Sequence, residues 1–194
     1  MITVLIVCLA MVLVLGVLGL LISRRPDHYT VTRSRTIAAP AAAIFPLVNE
    51  FARWSSWTPW LADDPQVVVT LSGPPAGVGA HYRWSGNRRV GAGTMAISDS
   101  EAPGRVRIDL VFLTPFAARG DVQFTIVPVT AASAVVTWTM HGHCTFVAKL
   151  MHLLIDMDAM IGGKFATGLA SMERTALAVS LDAPAAAPLS SSAP

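Results

Sequence analysis

Two cysteines, two lysines and two tyrosines in 194 residues mark what this chain is short of. Cys8 sits in an apolar N-terminal run remote from Cys144, so a structural disulfide between them is not expected, and no CxxC or Cys/His zinc spacing occurs. Charge is also scarce. Only 13% of residues are charged, the formal net charge is +2, and no basic run exceeds two residues (Arg24-Arg25, Arg88-Arg89). That excludes the dense basic surface by which a protein holds nucleic acid. Several catalytic and nucleotide-binding signatures are missing as well. Gly73 to Gly79 lacks the Lys-Ser/Thr of a P-loop, no helix pattern follows Gly91-x-Gly93, and there is no Gly-x-Ser-x-Gly elbow. Apolar residues are plentiful at 53%, which excludes disorder of the whole chain. The preference for arginine over lysine, with abundant alanine, is the usage of a GC-rich bacterial genome.

Met1 to Ile22 contains no charged side chain. As a helix it would extend about 33 Å, against ~30 Å for a bilayer core. A cleaved signal peptide would need a basic n-region and a small-x-small site, and both are missing. A lipoprotein signal would use Cys8, but Val7 stands where a small residue is wanted. The expectation is therefore a single-pass anchor over residues 1–23, with residues 1–22 in the cell membrane. Arg24, Arg25, Arg33 and Arg35 all follow the span, which places the domain on the cytoplasmic side.

From residue 28 the pattern has period two. His28–Ala38 reads as a strand, Pro40–Asn49 as a short helix with proline in its first turn, and Phe51–Trp60 as a short helix entering a proline-bound loop. Strands are expected at 66–71, 79–85, 89–98, 105–113, 121–128 and 133–143, with Gly86-Asn87 marking a hairpin. Val106, Ile108, Leu110 and Phe112 alternate with Arg105, Arg107 and Asp109, and Val122, Phe124 and Ile126 form a second such set. Successive runs apolar on one side indicate an antiparallel sheet with one buried face. Phe146–Leu181 then carries a helical stripe that includes Leu150, Leu154, Met157, Ile161, Phe165, Leu169 and Met172, with Thr145 as N-cap and a bend expected at Gly162-Gly163. A domain over 28–181 and a disordered Ala/Pro/Ser tail over 182–194 complete the plan.

Candidate constellations have competing structural explanations. Trp54, Trp57 and Trp60 could line a cavity mouth or meet a membrane interface, although packing of a short helix on the sheet edge is the simpler reading of their spacing. His141-x-His143, near Cys144 and His152, suggests a metal, but His141 falls on the outer, threonine-lined face and no carboxylate accompanies it. Asp156 and Asp158 lie about 200° apart on a helix and cannot act as an acid pair; one of them could meet an arginine near the sheet. Gly91 and Gly93 share a strand face and leave space there. Arg33, Arg83, Arg107 and Arg119 read as solvated strand residues. No metal and no cofactor is expected.

One set of runs has a familiar order and spacing. It comprises Ala39-Pro40; Phe51-x-x-Trp54-x-x-Trp57-x-Pro59-Trp60; Gly77-Val78-Gly79-Ala80-x-Tyr82-x-Trp84-x-Gly86-Asn87; Val90-Gly91-x-Gly93-x-Met95-x-Ile97; Phe112-Leu113-x-Pro115-Phe116; Val136-Thr137-Trp138-x-Met140; and Asp156-Met157-Asp158-x-Met160-x-Gly162-x-x-Phe165-x-x-Gly168-Leu169. Over roughly residues 28–178 the chain resembles the SRPBCC, or START-like, superfamily, in the branch labelled polyketide cyclase/dehydrase. The resemblance implies an α+β helix-grip fold, with a curved antiparallel sheet of about six to seven strands around a long C-terminal helix. It also implies a cavity for an apolar or lipid-like small molecule, and it transfers no catalytic residue. The cavity candidates are Trp54, Trp57, Tyr82, Trp84, Met95, Phe112, Phe124, Trp138, Met157, Met160 and Phe165. Two alternatives stay open. One is a cyclase or dehydratase, to which Tyr82, Asp121 or Asp156 would contribute. The other is a protein-interaction module with a collapsed cavity and a partner that the sequence does not identify.

Overall fold

The computed structural model describes residues 2–24, 28–115, 117–143 and 157–182, with the side chains at 8, 14, 15, 18, 21, 22, 143, 157 and 180–182 outside the description. Helix α1 (Ile2–Ser23) is followed by strand β1 (His28–Ile37), helix α2 (Ala41–Asn49) and two 3-10 turns, Phe51–Ser56 and Pro59–Ala62. Six further strands follow: β2 (Val68–Ser72), β3 (His81–Ser85), β4 (Ala92–Glu101), β5 (Arg105–Thr114), β6 (Ala118–Thr130) and β7 (Ser133–His143). Helix α3 (Met157–Asp182) comes last.

The seven strands form one sheet in the order β1-β7-β6-β5-β4-β3-β2, and every pair is antiparallel. Strands β2 to β7 are a meander, because adjacent antiparallel strands need only short connections. Strand β1 closes the other side by pairing with β7, Val31 opposite Met140 and Arg33 opposite Trp138. Register shifts in the β4–β5 ladder at Ala92/Gly93 and Ile97/Asp99 mark local irregularities of the kind that bend a strand. The buried face follows the alternation read from sequence: Val106, Ile108 and Leu110 on β5, Val122, Phe124 and Ile126 on β6, Val136, Trp138 and Met140 on β7. Phe165, Leu169, Met172 and Ala176 form one buried stripe of α3, spaced four, three and four residues apart. Each of the first three stabilises the fold by about 1.5–3 kcal/mol through burial.

Several expectations change. Helix α3 runs unbroken through Gly162-Gly163. Gly162 serves packing, because a Cβ there would collide with the Arg33 guanidinium, while Gly163 faces open space. The expected start of the helix at Phe146, its cap Thr145, and the tail beyond Asp182 lie outside the described residues. Pro40 occupies the N-cap of α2, one residue before the helix. The turn at Gly86-Asn87 extends to Gly91, because the Asn87 side chain accepts hydrogen bonds from the N–H groups of Arg89 and Val90 and so folds a longer loop. Strand β4 accordingly begins three residues later than the alternation suggests, at Ala92.

The charge-free N-terminus is helical, as expected. Among the described residues, however, no helix is long and apolar enough to cross a membrane. The transmembrane anchor expected over 1–23 is therefore not supported by the structure.

Arg33 leaves the solvated role expected of it. Its guanidinium donates to both carboxylate oxygens of Asp158, at 3.0 and 2.8 Å, and ties β1 to the first turn of α3. The hydrogen bond from Arg33 holds the Asp158 carboxyl below its usual range. With a depressed folded value, the contribution to stability is complete above the unfolded value near 3.8 and is lost as pH falls through the folded one. Asp158→Asn is therefore expected to melt slightly below the native protein at neutral pH. Calorimetry on both proteins should show the difference closing as the pH is taken below the unfolded value near 3.8 and on through the depressed folded one.

Candidate functional site

The site begins with an unusual helix C-terminus. The last four carbonyls of a helix have no partner within it, and in α2 the C-cap N–H meets the first of them while the other three are satisfied from outside. Pro46 O accepts from Glu50 N, Leu47 O from Trp57 Nε1 at 2.8 Å, Val48 O from Trp54 Nε1 at 3.0 Å, and Asn49 O from Gly77 N. Two tryptophans thus act as caps, which gives the expected packing role a specific chemistry. From there the aromatic cluster continues inward. Trp57 packs edge-on against Phe124 and Trp138, and Trp138 stacks flat on Phe165 of α3, 4.0 Å between centroids and 7° between planes.

Beside this cluster lies a cavity of about 100 Å³. The sheet contributes Tyr82, Trp84, Met95, Leu110, Phe112, Val122, Trp138 and Met140, α3 contributes Phe165, and the loops contribute Trp54, Thr58, Trp60, Leu61, Val67 and Val90. Alternation explains the sheet set, since every second residue of β3 to β7 points to the same face. Trp84 can lie flat across the sheet only because its cross-strand neighbour is Gly93; a Cβ at 93 would collide with the Trp84 ring and the Val111 carbonyl. Gly168 does the same for the helix: a Cβ there would stand 2.9 Å from Trp138 Cζ3 and 3.1 Å from Pro59.

Polar groups fix the rim. Asp64, 8% exposed, accepts hydrogen bonds from the N–H of Gln66 at 3.1 Å and of Asn87 at 2.6 Å. Asn87 donates to Asp63 O, and Lys164 of α3 pairs with the Asp63 carboxylate at 2.6 Å. The 59–67 segment is thereby fastened both to the β3–β4 loop and to the long helix.

Inside, polar chemistry is sparse. Among the described residues the lining holds no Asp, Glu, His, Lys, Arg or Cys. Burial pushes the Tyr82 phenol up from its ordinary value, so it is protonated at neutral pH and can donate. The Trp138 indole N–H is buried and has no hydrogen-bond partner among the described residues. An unsatisfied donor of this kind typically costs about 1–3 kcal/mol.

Of the residues expected at the cavity, Trp54, Tyr82, Trp84, Met95, Phe112, Trp138 and Phe165 line it. Trp57 and Phe124 are fully buried behind the wall and fill the core instead. Met160 is 53% exposed, because it falls off the buried stripe of α3, and the Met157 side chain is outside the description. Asp121 is exposed, opposite His141 and Asp109 in the ladder, so it cannot reach the cavity. Asp156 and His152 are outside the described residues. His141 is exposed and hydrogen-bonded to Thr30, and no metal-binding group of side chains occurs among the described residues. The loop contributors Thr58, Leu61, Val67 and Val90 follow no periodicity and were not foreseen.

Comparison with known proteins agrees with this architecture. An NMR structure from Thermobifida fusca matches with a TM-score of 0.58 and 24% identity, over 76% of this chain and 92% of that one. Norcoclaurine synthase from Thalictrum flavum, solved with a transition-state analogue, matches with a TM-score of 0.57 and 15% identity, over 79% and 96%. Protein CV1439 from Chromobacterium violaceum matches with a TM-score of 0.56 and 13% identity, over 78% and 98%. At these identities the likeness is one of fold. Among curated proteins no sequence match is found. The family model for "Polyketide cyclase / dehydrase and lipid transport" matches residues 28–176, from the first strand to the last buried turn of α3. The chain is a member of that family, with its helix-grip fold.

Proposed function

We propose that this protein binds an apolar small molecule, or the apolar end of a larger one, between sheet and helix, and that α1 holds it at a membrane. The carrying observation is the wall: aromatic and aliphatic side chains, with no ionisable pair facing inward among the described residues. A wall of this kind favours apolar ligands through burial and fixes orientation with few polar groups. Size narrows the class. Drug-sized ligands occupy roughly 300–1,000 Å³, and a dry engineered cavity of about 150 Å³ takes benzene. A cavity of about 100 Å³ therefore suits a single ring or a short chain, not a whole lipid. Among the described residues the catalytic alternative has Tyr82 inside, and a proton relay needs a second group. The tether rests on the charge-free sequence of α1 and on the exposure of Ile2, Val4, Leu5, Leu9 and Leu13. The arginines after it favour the cytoplasmic side.

Toluene is the probe for the cavity. The full-length chain should take up one equivalent saturably, with a change in tryptophan fluorescence and a melting temperature that rises with toluene concentration. Absence of saturable uptake overturns the binding reading. In cells the chain should remain with carbonate-washed membranes, and its recovery in the soluble fraction overturns the tether alone.

A further inference from the structure

The arginines of the domain divide by partner. Arg33, Arg35, Arg53 and Arg105 each pair with a carboxylate, and Arg107 and Arg174 hydrogen-bond to Gln123 and Ser171. Arg83, Arg88, Arg89 and Arg119 are exposed, and their side chains have no partner among the described residues. These four share one end of the sheet. Arg83, Thr94, Val111 and Arg119 form a single cross-strand row, and the loop with Arg88 and Arg89 follows at the end of β3. Carboxylates stand back from them. Asp63 pairs with Lys164, Asp64 is buried, and Asp109 and Asp121 lie two residues further in.

Two more features belong to this end. Val68, opposite Ser85, is 64% exposed, and Leu113, beyond Val111 on β5, is 47% exposed. The chain also enters the domain here. The next row inward, Tyr82-Met95-Leu110-Gly120-Gly142-Tyr29, meets β1 one residue after its start at His28. Only Arg24 to Asp27 separate β1 from α1. The five steps from Ser23 to His28 reach at most about 18 Å, at ~3.6 Å each. With α1 in a bilayer, the end held at its surface is the one with unpaired arginines and exposed aliphatics.

Taking α1 as a membrane segment, the reading on which this rests, we infer that this end of the sheet docks on an anionic bilayer. Arg83, Arg88, Arg89 and Arg119 meet lipid phosphates, and Val68 and Leu113 enter the interface. Basic groups close to an apolar patch suit such a surface, since charge attracts and burial holds. Trp84, Phe112, Val67 and Val90 place the cavity at the same end.

The test uses the full-length chain with Cys8→Ser and Cys144→Ser, in vesicles of phosphatidylcholine and phosphatidylglycerol. A nitroxide is attached at Leu113→Cys or, for reference, at Val129→Cys on the exposed far end of β6. Power-saturation EPR should find the label at 113 open to oxygen and shielded from an aqueous nickel chelate, and the label at 129 in water. An arginine near an anionic surface favours binding roughly fivefold, so Arg88→Gln with Arg89→Gln should lower the docked-to-undocked ratio about 25-fold. Phosphatidylcholine alone should also lower it. Both labels in water, in a chain that resists carbonate extraction, overturns docking and leaves the tether standing. Lipid contact at 113 in a chain that carbonate strips supports docking and overturns the tether. Contact indifferent to the arginines and to the anionic lipid overturns the charge recognition inferred here.

Discussion

Phe165→Ala lowers the unfolding free energy by about 3–5 kcal/mol and lets the cavity admit a two-ring hydrocarbon. Both effects come from one position. Phe165 is 1% exposed, stacks on Trp138 at 4.0 Å and forms the helix side of the cavity wall. Truncation removes the transfer free energy of the phenyl ring and leaves a void that joins the existing space, because close-packed interiors relax only partly. A domain of this size has roughly 5–15 kcal/mol in total, so the variant should remain folded at room temperature with a much lower denaturation midpoint. Urea unfolding measures the first effect. Naphthalene uptake, read by its fluorescence, measures the second. A variant that loses stability but still excludes naphthalene would show that the wall collapses onto the void.

The opposite change, adding volume, is expected to close the site from the sheet side. At Gly93 a single methyl group has nowhere to go, being blocked by the rigid Trp84 indole on one side and the Val111 carbonyl of the β5 ladder on the other. Overpacking typically costs 1–3 kcal/mol, and a backbone obstacle places Gly93→Ala at about 3 kcal/mol or more. Trp84 lines the cavity and is held by a hydrogen bond to Val90 O at 3.3 Å, so displacing its ring is expected to reduce toluene uptake together with stability. Adding Trp84→Leu should recover part of the stability, the backbone clash remaining, and the double-mutant cycle should show strong coupling. Independent, additive effects would mean that Gly93 is not there for Trp84.

The cavity wall was partly legible because period two reports which side chains share a face. Tyr82 with Trp84, Leu110 with Phe112, and Trp138 with Met140 were placed on the inner face by alternation alone. The same rule does not separate depth. Phe124 shares that face yet lies in the packed core behind the cavity, with Trp57 packed on it, because whether an inward side chain meets space or another ring depends on what the opposite layer presents. The rim was not legible. Asp63, Asp64, Asn87 and Lys164 come from a loop, a turn and a helix, and their hydrogen bonds link positions as far apart as 63 and 164.

By itself the sequence determined the order of elements, the buried face of the sheet and the apolar stripe of the last helix. Each depends on local periodicity, and local periodicity survives in one dimension. The tertiary structure decided the rest. It turned two of three tryptophans into caps for α2, carried α3 unbroken through two glycines, one of them packed against Arg33, and left the buried Trp138 N–H without an acceptor among the described residues. These are matters of which carbonyl, ring or void comes to lie within a few ångströms of a given atom, and that is set only when distant segments pack.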